Sequence, residues 1–345
     1  MALVHIRPRR PGDRARVRRG MTRPRTGVAI AVAMAALATG CGGGDGGSGG
    51  GSAQARSIDV GVLPIADVAP LYLGIRKGFF KREGLSVKPH TVGGGAAVVT
   101  GVVSGDFDFG FAATEPLILA KDKGLPVKIV TAGNQAAADP RKGWAMLMVK
   151  RNGPIRTPKD LEGRTIATAA LKNTNALTTT AWLDQQGVDV SKIKFTEVGF
   201  PDQPAAVTQG RVAAAAAVEP FVTVLEAGQG RALGSYLAGL RPKMTIGTYF
   251  TLDQRIKEDA DLTARFARAM NRSLDYAQAH QGEARKVILT YTKIPPEAVA
   301  RIRLPRWSSD LNRPSIDYMA TLADRYGYTG RKVDVSTLIW SGAGR

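Results

Sequence analysis

The sequence predicts an α/β fold built from two successive α/β units. Segments with the alternating hydrophobicity of strands take turns with segments of helical periodicity from about residue 57 onward. This alternation stops at an alanine-rich loop, residues 135–140, and then restarts. Strands that alternate with helices favour mostly parallel sheets covered on both faces. A chain of 345 residues is long enough for two such units, each with its own core.

The first unit opens with a strand in which Ile58, Val60 and Val62 alternate with polar or small residues. The helix that follows has apolar residues at helical spacing and a stop signal at Gly84. The predicted strands of this unit are residues 57–65, 85–92, 106–113 and 125–133, and its predicted helices are residues 69–85, 93–105 and 115–124.

The second unit repeats the pattern after the alanine-rich loop. Thr157 is predicted to cap a helix that has Pro158 at its first position. The chain then passes through residues 245–252 into helices over residues 253–280 and on to the C-terminus. The predicted strands of the second unit are residues 143–150, 164–170, 193–200 and 212–218, and its predicted helices are residues 156–163, 173–187 and 203–210, with another after Phe221.

Composition excludes several classes of protein. With 44% hydrophobic and 22% charged residues, the chain is globular rather than disordered or membrane-embedded. One cysteine excludes an internal disulfide framework, and three histidines disfavour a histidine-rich metal site, so no metal or cofactor is expected. Nine arginines and one acidic residue fall in residues 1–40, so 11 of the 19 net positive charges belong to the rest. That part has no basic run with interleaved aromatic residues, which disfavours nucleic-acid binding.

The N-terminal region predicts export and a lipid anchor. An arginine-rich stretch precedes the apolar residues 27–38, which are too few to span a bilayer as a helix. The sequence from Ala38 to Cys41 resembles the bacterial lipobox, which implies that Cys41 is lipidated and becomes the mature N-terminus. Residues 1–40 are then a signal peptide, with a start that could lie at Met21, and residues 41–56 a flexible Gly/Ser tether. The protein is therefore expected outside the cytoplasm, anchored to the membrane.

An ordered series of short motifs resembles the substrate-binding proteins of ABC importers for nitrate, sulfonates, taurine and thiamine-pyrimidine precursors. The series covers roughly residues 57–280. Its motifs are residues 69–72, 77–80, 83–85, 93–95, 104–110, 123–126, 158–164 and 219–221.

The resemblance implies a type II periplasmic-binding-protein fold, in which two α/β lobes joined by two crossing strands close on a ligand. It implies lobe 1 at residues 57–134 plus 247–345, lobe 2 at residues 135–246, and crossings near Gly133 and Gly247. The protein is then a monomeric solute-binding protein, not an enzyme, which delivers a small ligand to an ABC permease and its ATPase. Two other functions stay open: a thiamine-pyrimidine-precursor binder or enzyme of the same fold, and a sensor without transport. The related fungal enzymes carry a cysteine-rich iron motif, which a chain with one cysteine lacks.

The ligand is expected beyond the carboxyl ends of the strands, where helices begin and offer unpaired N–H groups. Each of the candidate residues also has a purely structural interpretation. The glycines could simply make turns, and Thr114 and Asn173 could cap helices. Asp67 and Glu219 could be solvated charges at the rim, and Phe221 could belong to the core. The predicted ligand-binding residues are Asp67, Pro70, Gly94, Gly95, Ala113, Thr114, Glu115, Asn173, Thr174, Asn175, Glu219 and Phe221.

The carboxylates in this set bear on the chemistry of the ligand. Asp67, Glu115 and Glu219 would repel a lone small anion, whereas they suit an amine or amide donor. An aminosulfonate, a taurine-like compound or another polar nitrogen or sulfur compound is therefore preferred to plain nitrate or sulfate. Glu219 is predicted to reach the cleft edge, because the apolar strand before it leads there.

Overall fold

A computed structural model describes residues 55–343, which form two β-sheets with helices packed on both. The predicted signal peptide, Cys41 and nearly all of the predicted tether lie outside the described residues. The strands are β1 (Arg56–Val62), β2 (Leu85–Thr91), β3 (Phe109–Ala113), β4 (Val127–Gln135), β5 (Ala145–Lys150), β6 (Thr165–Thr168), β7 (Lys194–Glu197), β8 (Ala214–Val218), β9 (Gly230–Gly234), β10 (Thr245–Leu252) and β11 (Arg306–Trp307).

Helices of very different length surround these strands. The helices are α1 (Ala69–Arg76), α2 (Phe79–Arg82), α3 (Gly95–Ser104), α4 (Thr114–Asp122), α5 (Thr174–Gln185), α6 (Gln203–Thr208), α7 (Phe221–Ala227), α8 (Asp253–Glu258), α9 (Ala260–Ala279), α10 (Gln281–Ile288), α11 (Pro296–Val299) and α12 (Arg313–Arg325). Within residues 55–343, no helix is both long enough and apolar enough to cross a bilayer.

The strands divide between two lobes. The sheet of lobe 1 has the order β11-β4-β10-β3-β1-β2, and α1–α4 and α8–α12 accompany it. The sheet of lobe 2 has the order β7-β6-β8-β5-β9, and α5–α7 accompany it. Lobe 2 is therefore built from one continuous stretch of chain, whereas lobe 1 is built from the stretches before and after it.

The sheets are mixed, so the expectation of mostly parallel sheets is wrong. Among the strands of residues 55–343, four neighbouring pairs are parallel and five are antiparallel. The antiparallel pairs arise because β10 runs against both β3 and β4, β5 runs against both β8 and β9, and β11 runs against β4. Two neighbouring strands are parallel only where a crossover connection brings the chain back to run in the same direction.

The chain crosses between the lobes at the ends of two neighbouring strands. It leaves lobe 1 after β4 and returns to it with β10, and these two strands pair antiparallel. At the crossing, the Gly247 N–H donates a hydrogen bond of 2.7 Å to Asn134 Oδ1. A Cβ on Gly133 would lie 2.9 Å from the Gly247 carbonyl oxygen, so glycine is needed for this close approach.

The core of lobe 1 lies between its sheet and the long helix α9. The ring of Phe109 on β3 stacks on Phe266 of α9, with centroids 4.0 Å apart. A Cβ on Gly74 of α1 would lie 1.9 Å from Ser273 Oγ of α9, so these two helices are in direct contact at a glycine.

Local geometry also departs from expectation in two places. Gly78, at φ +70°, divides the helix predicted at residues 69–85, and Thr157 caps a single 3-10 turn, Pro158–Leu161.

Candidate functional site

A cavity of about 120 Å³ lies between the two lobes. Its lobe 1 wall comes from the segments that follow β1 and β3 and from the start of α3. Its lobe 2 wall comes mainly from the segments that follow β6 and β7, from the last residue of β8 and from the start of α5, and β10 contributes at the crossing. The cavity is thus at the carboxyl ends of strands from both sheets, where ligands of open α/β sheets bind.

The residues predicted from the sequence fall into two groups around this cavity. Seven of the twelve line it, namely Asp67, Gly94, Gly95, Ala113, Asn173, Thr174 and Asn175. The other five are not among its lining residues, namely Pro70, Thr114, Glu115, Glu219 and Phe221.

Asp67 presents a buried carboxyl group to the cavity from a 3-10 turn between β1 and α1. Its Oδ1 accepts a hydrogen bond of 2.6 Å from Asn134 Nδ2, while its Oδ2 is buried and has no partner among the described residues. Burial raises the pKa of Asp67 from 3.8 to about 7, and the hydrogen bond from Asn134 opposes this rise. An acceptor oxygen without a partner in a cavity wall can accept a hydrogen bond from a ligand.

The start of α3 supplies hydrogen-bond donors to the same cavity. Gly94 caps α3 without any side-chain hydrogen bond, so the first N–H groups of the helix, at Gly95 and Ala96, have no side-chain cap. A Cβ on Gly94 would meet nothing within 4 Å, so backbone there is open to the cavity. Helix N-termini carry partial positive charge, which favours a ligand atom that accepts hydrogen bonds.

The start of α5 forms the opposite wall, and its amide side chains are already hydrogen-bonded within the protein. Asn173 Oδ1 accepts a hydrogen bond of 2.8 Å from the Ala176 N–H and so caps α5. Asn175 Nδ2 donates to the Tyr236 hydroxyl at 2.8 Å. Both residues therefore shape the wall, and the capping interpretation of Asn173 is correct.

Glu115 connects the two lobes beside the cavity rather than lining it. It is fully buried at the start of α4, and Thr174 Oγ1 of lobe 2 donates a hydrogen bond of 3.4 Å to its Oε2. Burial raises the pKa of Glu115 to about 8, so the carboxyl group is largely protonated at neutral pH. Its neighbour Thr114 is also fully buried. The N-termini of α4 and α5 thus meet through one carboxylic acid.

Glu219 is buried away from the cavity, so its predicted place at the cleft edge is not what the structure has. Its carboxylate accepts hydrogen bonds from the Thr223 N–H and hydroxyl, at 3.1 and 2.9 Å, and from the Arg303 N–H at 3.0 Å. Burial nevertheless raises its pKa to about 7. The Arg303 guanidinium makes two hydrogen bonds, of 2.8 and 3.0 Å, to Glu226 of α7. Glu219 is therefore part of a contact between α7 and the segment that precedes β11.

The two remaining predicted residues have structural roles. Pro70 is buried in the first turn of α1, where a missing N–H costs nothing. Phe221 begins α7 and stacks on Phe200, with ring centroids 6.3 Å apart, and Phe200 itself lines the cavity. Phe221 thus packs against a residue of the cavity wall without lining the cavity itself.

Sequence reasoning missed the aromatic part of the wall. Trp144, Phe111 and Phe200 line the cavity, and Trp144 Nε1 donates a hydrogen bond of 3.0 Å to the Gln135 carbonyl, which fixes the indole. Such rings offer flat apolar surface to a ligand. The signal available in the sequence was the position of Trp144, directly after the loop that separates the two units.

The charges of the lining residues suit a polar ligand that is not a bare anion. Asp67 and the exposed Lys172 are the ionisable residues among those that line the cavity, and neither an arginine nor a histidine is included. Small anions are often bound by a bidentate arginine, which is missing among these lining residues, and Lys172 is their one cation. The arrangement instead offers an acceptor at Asp67, donors at the start of α3, and aromatic walls.

The NMT1/THI5 like family matches residues 65–284, well over half of the chain. The chain belongs to this family. Among curated proteins, this family member is 25% identical over 271 residues to the riboflavin-binding protein RibY of Chloroflexus aurantiacus, covering 74% of this chain and 73% of that protein.

Solved structures of substrate-binding proteins share the fold of this family member. The aliphatic sulphonate binding protein SsuA of Escherichia coli superposes with a TM-score of 0.70 at 18% identity, covering 84% of this chain and 99% of that one. The nitrate-binding protein NrtA of Synechocystis PCC 6803 superposes with a TM-score of 0.68 at 15% identity, covering 82% and 84%. The predicted periplasmic-binding-protein fold, with two α/β lobes, is thereby confirmed.

Proposed function

We propose that this protein is the solute-binding component of an ABC importer. It captures a small polar molecule between its two lobes outside the cytoplasm and delivers it to a permease. The observation that carries the proposal is the cavity itself, because both lobes and the crossing strand line it and it contains a buried carboxyl oxygen without a partner among the described residues. A ligand that contacts both lobes favours their closed arrangement by its differential affinity.

The proposed ligand carries at least one N–H donor that faces Asp67 and an acceptor that faces the start of α3. Nitrogen and sulfur compounds such as taurine-like aminosulfonates meet both conditions, whereas nitrate and sulfate have no donor. The relatives are named for riboflavin, aliphatic sulphonates and nitrate, and of these riboflavin bears an N–H donor on a flat ring. The aromatic walls at Trp144, Phe111 and Phe200 favour a flat ring. A thiamine-pyrimidine precursor has such a ring and is therefore the second candidate ligand.

Native mass spectrometry of the purified protein tests the ligand proposal. A bound species whose mass matches a nitrogen-bearing compound, released on denaturation, is expected. A thermal-shift panel of riboflavin, an aminopyrimidine, taurine, an alkanesulfonate and nitrate then ranks the classes. Stabilisation by nitrate alone would contradict the proposed N–H donor, and no stabilisation by any small molecule would contradict solute binding.

The anchor belongs to the same proposal and rests on the sequence from Ala38 to Cys41. Lipidation of Cys41 would hold the protein at the outer face of the cytoplasmic membrane, with the Gly/Ser segment as the link. Cys41→Ser is expected to release the protein or to leave an uncleaved precursor. Unchanged processing and unchanged membrane fractionation of this variant would contradict the anchor, while the ligand proposal would stand.

A further inference from the structure

The point at which the described chain begins lies beside a basic surface on lobe 1. Arg56, the first residue of β1, donates its N–H to the Gly84 carbonyl at 2.9 Å, directly after α2. The Arg56 guanidinium pairs at 2.8 Å with Asp259, which caps α9. The segment that arrives from Cys41 therefore joins the body of the protein where α2 and the start of α9 meet.

Cationic side chains from these two helices lie close together on lobe 1. The α2–α9 basic face consists of Lys81, Arg82, Arg265, Arg268 and Arg272. The three arginines of α9 are spaced by three and four residues and so share one side of the helix. The guanidinium carbons of Arg82 and Arg272 lie 4.9 and 5.0 Å from the ring centroid of Phe79, which brings the two helices' charges together.

This face has more positive charge than its acidic neighbours neutralise. Arg265 pairs with Asp261, and Arg268 pairs with Glu83 at 2.8 Å. Within residues 55–343, the other three cations, at Lys81, Arg82 and Arg272, have no carboxylate within ion-pair distance, and all three are exposed. Three exposed charges without counter-ions, beside two paired ones, favour a negatively charged partner.

The length of the tether indicates which negative surface that partner is. Thirteen residues separate Cys41 from Ala55, and most of them are glycine or serine. A chain of this length spans at most about 50 Å when it is fully extended. If the lipid is in the membrane, the α2–α9 basic face is held within that range of the lipid headgroups.

We propose that the α2–α9 basic face binds the anionic headgroups of the membrane that holds the lipid anchor. Lobe 1 then lies against the bilayer, and its orientation is set by charge as well as by the tether. The proposal rests on the anchoring part of the proposed function, but it does not depend on which ligand the cavity takes. Its partner is a phospholipid surface with net negative charge rather than a single lipid species.

Co-sedimentation with vesicles tests the proposal without the lipid anchor. The mature chain carrying Cys41→Ser is mixed with vesicles of phosphatidylcholine alone or of phosphatidylcholine with an equal part of phosphatidylglycerol. Binding to the second kind only is expected, and it should disappear near 1 M salt, where the screening length falls to about 3 Å. No binding to the anionic vesicles at low salt would overturn the proposal.

Two triple variants of equal charge decide whether this face is responsible. Each cation near an anionic surface contributes about fivefold to binding, so K81Q/R82Q/R272Q should lose about a hundredfold. The matched control is K150Q/R164Q/R211Q, which removes three exposed cations around a groove at the amino ends of β6 and β8 in lobe 2. It should retain nearly full binding. Equal losses in both triples would mean that overall charge alone drives binding and would overturn the proposal.

Two further readouts separate folding and partner effects from the proposed contact. Because Arg82 and Arg272 cover Phe79, melting curves of the triple variant are compared with those of wild type to check folding. Lys81→Gln leaves this contact intact, and it alone should still lower the affinity for anionic vesicles about fivefold. Transport lost in the triple without any loss of vesicle binding would point to the permease as the partner and overturn the proposal. Fractionation of Cys41→Ser in cells scores the anchor separately, so failure of lipidation and failure of this face are distinguishable.

Discussion

Replacing Asp67 by asparagine changes the group that faces the cavity while keeping the shape of the side chain. The amide oxygen of the new side chain can still accept the hydrogen bond that Asn134 Nδ2 now donates to Oδ1. Its amide nitrogen then becomes a donor in the position of Oδ2, which has no partner among the described residues. The substitution therefore removes the ionisable group and converts an acceptor into a donor.

The effect on stability follows from the raised pKa of Asp67. Its pKa is 3.8 in an unfolded chain and about 7 in the folded protein, so the folded state holds the proton more tightly. Stability contributed by this proton is fully present below about pH 4 and is lost as the pH rises through about 7. Each tenfold change in proton affinity is worth about 1.4 kcal/mol, so ionisation of Asp67 destabilises the folded protein by about 4 kcal/mol at about pH 8.

Urea unfolding of wild type and Asp67→Asn, followed by circular dichroism at about pH 5 and about pH 8, measures this difference. The variant should lose less stability over this interval than wild type, by about 2–3 kcal/mol, because the unfolded chain has already released this proton at about pH 5 and part of the loss lies below the interval. Glu115 and Glu219 have pKa values raised in the same direction, so only the difference between the two proteins reports on Asp67. Asp324→Asn, at an exposed position of α12, is the matched control.

Parallel stability profiles for wild type and Asp67→Asn would refute this reasoning, because they would mean that Asp67 ionises in the folded protein as readily as in the unfolded chain. Ligand binding gives an independent readout of the same variant. A hydrogen bond to a charged acceptor contributes about 1.5–3 kcal/mol, so affinity for an N–H donor ligand should fall by about 10- to 150-fold. An unchanged affinity would mean that Oδ2 does not face the ligand.

Three other substitutions test separate parts of the structure. Glu219→Gln should destabilise the protein by about 1–3 kcal/mol in urea titrations. The Glu219 carboxylate accepts three hydrogen bonds within the protein, and the substitution turns one of its two acceptor oxygens into a donor. Unchanged stability would contradict this structural role of Glu219. Gly94→Leu should abolish ligand binding in calorimetry with little change in melting temperature, since its Cβ meets nothing but the cavity; retained affinity would exclude that wall. Gly74→Ala should lower the stability by about 1–3 kcal/mol through overpacking against Ser273, and equal melting temperatures would show that α9 can move aside.

Most elements of the fold were predictable because hydrophobic periodicity is local. The strand at residues 57–65 and the helix at residues 173–187 correspond to β1 and α5 within a few residues. The direction in which strands pair was not predictable, since β10 lies between β3 and β4 through contacts more than a hundred residues apart along the chain. Strand β9 was missed because its five residues, Gly230–Gly234, show no alternation of large apolar side chains.

The candidate site was predictable only as far as strand ends locate it. Asp67 and Gly94 could be assigned to the cavity region because they follow strands whose carboxyl ends meet at one edge. Glu219 follows a strand in the same way, yet its carboxylate accepts the N–H of Arg303, 84 residues later in the chain. No local pattern contains that contact. The cavity wall at Trp144 likewise depends on how the loop between the lobes folds back onto Gln135.

The central place of β10 in the sheet of lobe 1 has a consequence for the order in which the chain can fold. Until residues 245–252 have been synthesised, β4 has no link to β3, and the sheet of lobe 1 is divided into β3-β1-β2 and a lone strand. Lobe 2 has all five of its strands by residue 234. Lobe 2 can therefore close its sheet while lobe 1 is still incomplete, and the last third of the chain decides when lobe 1 can complete its own sheet.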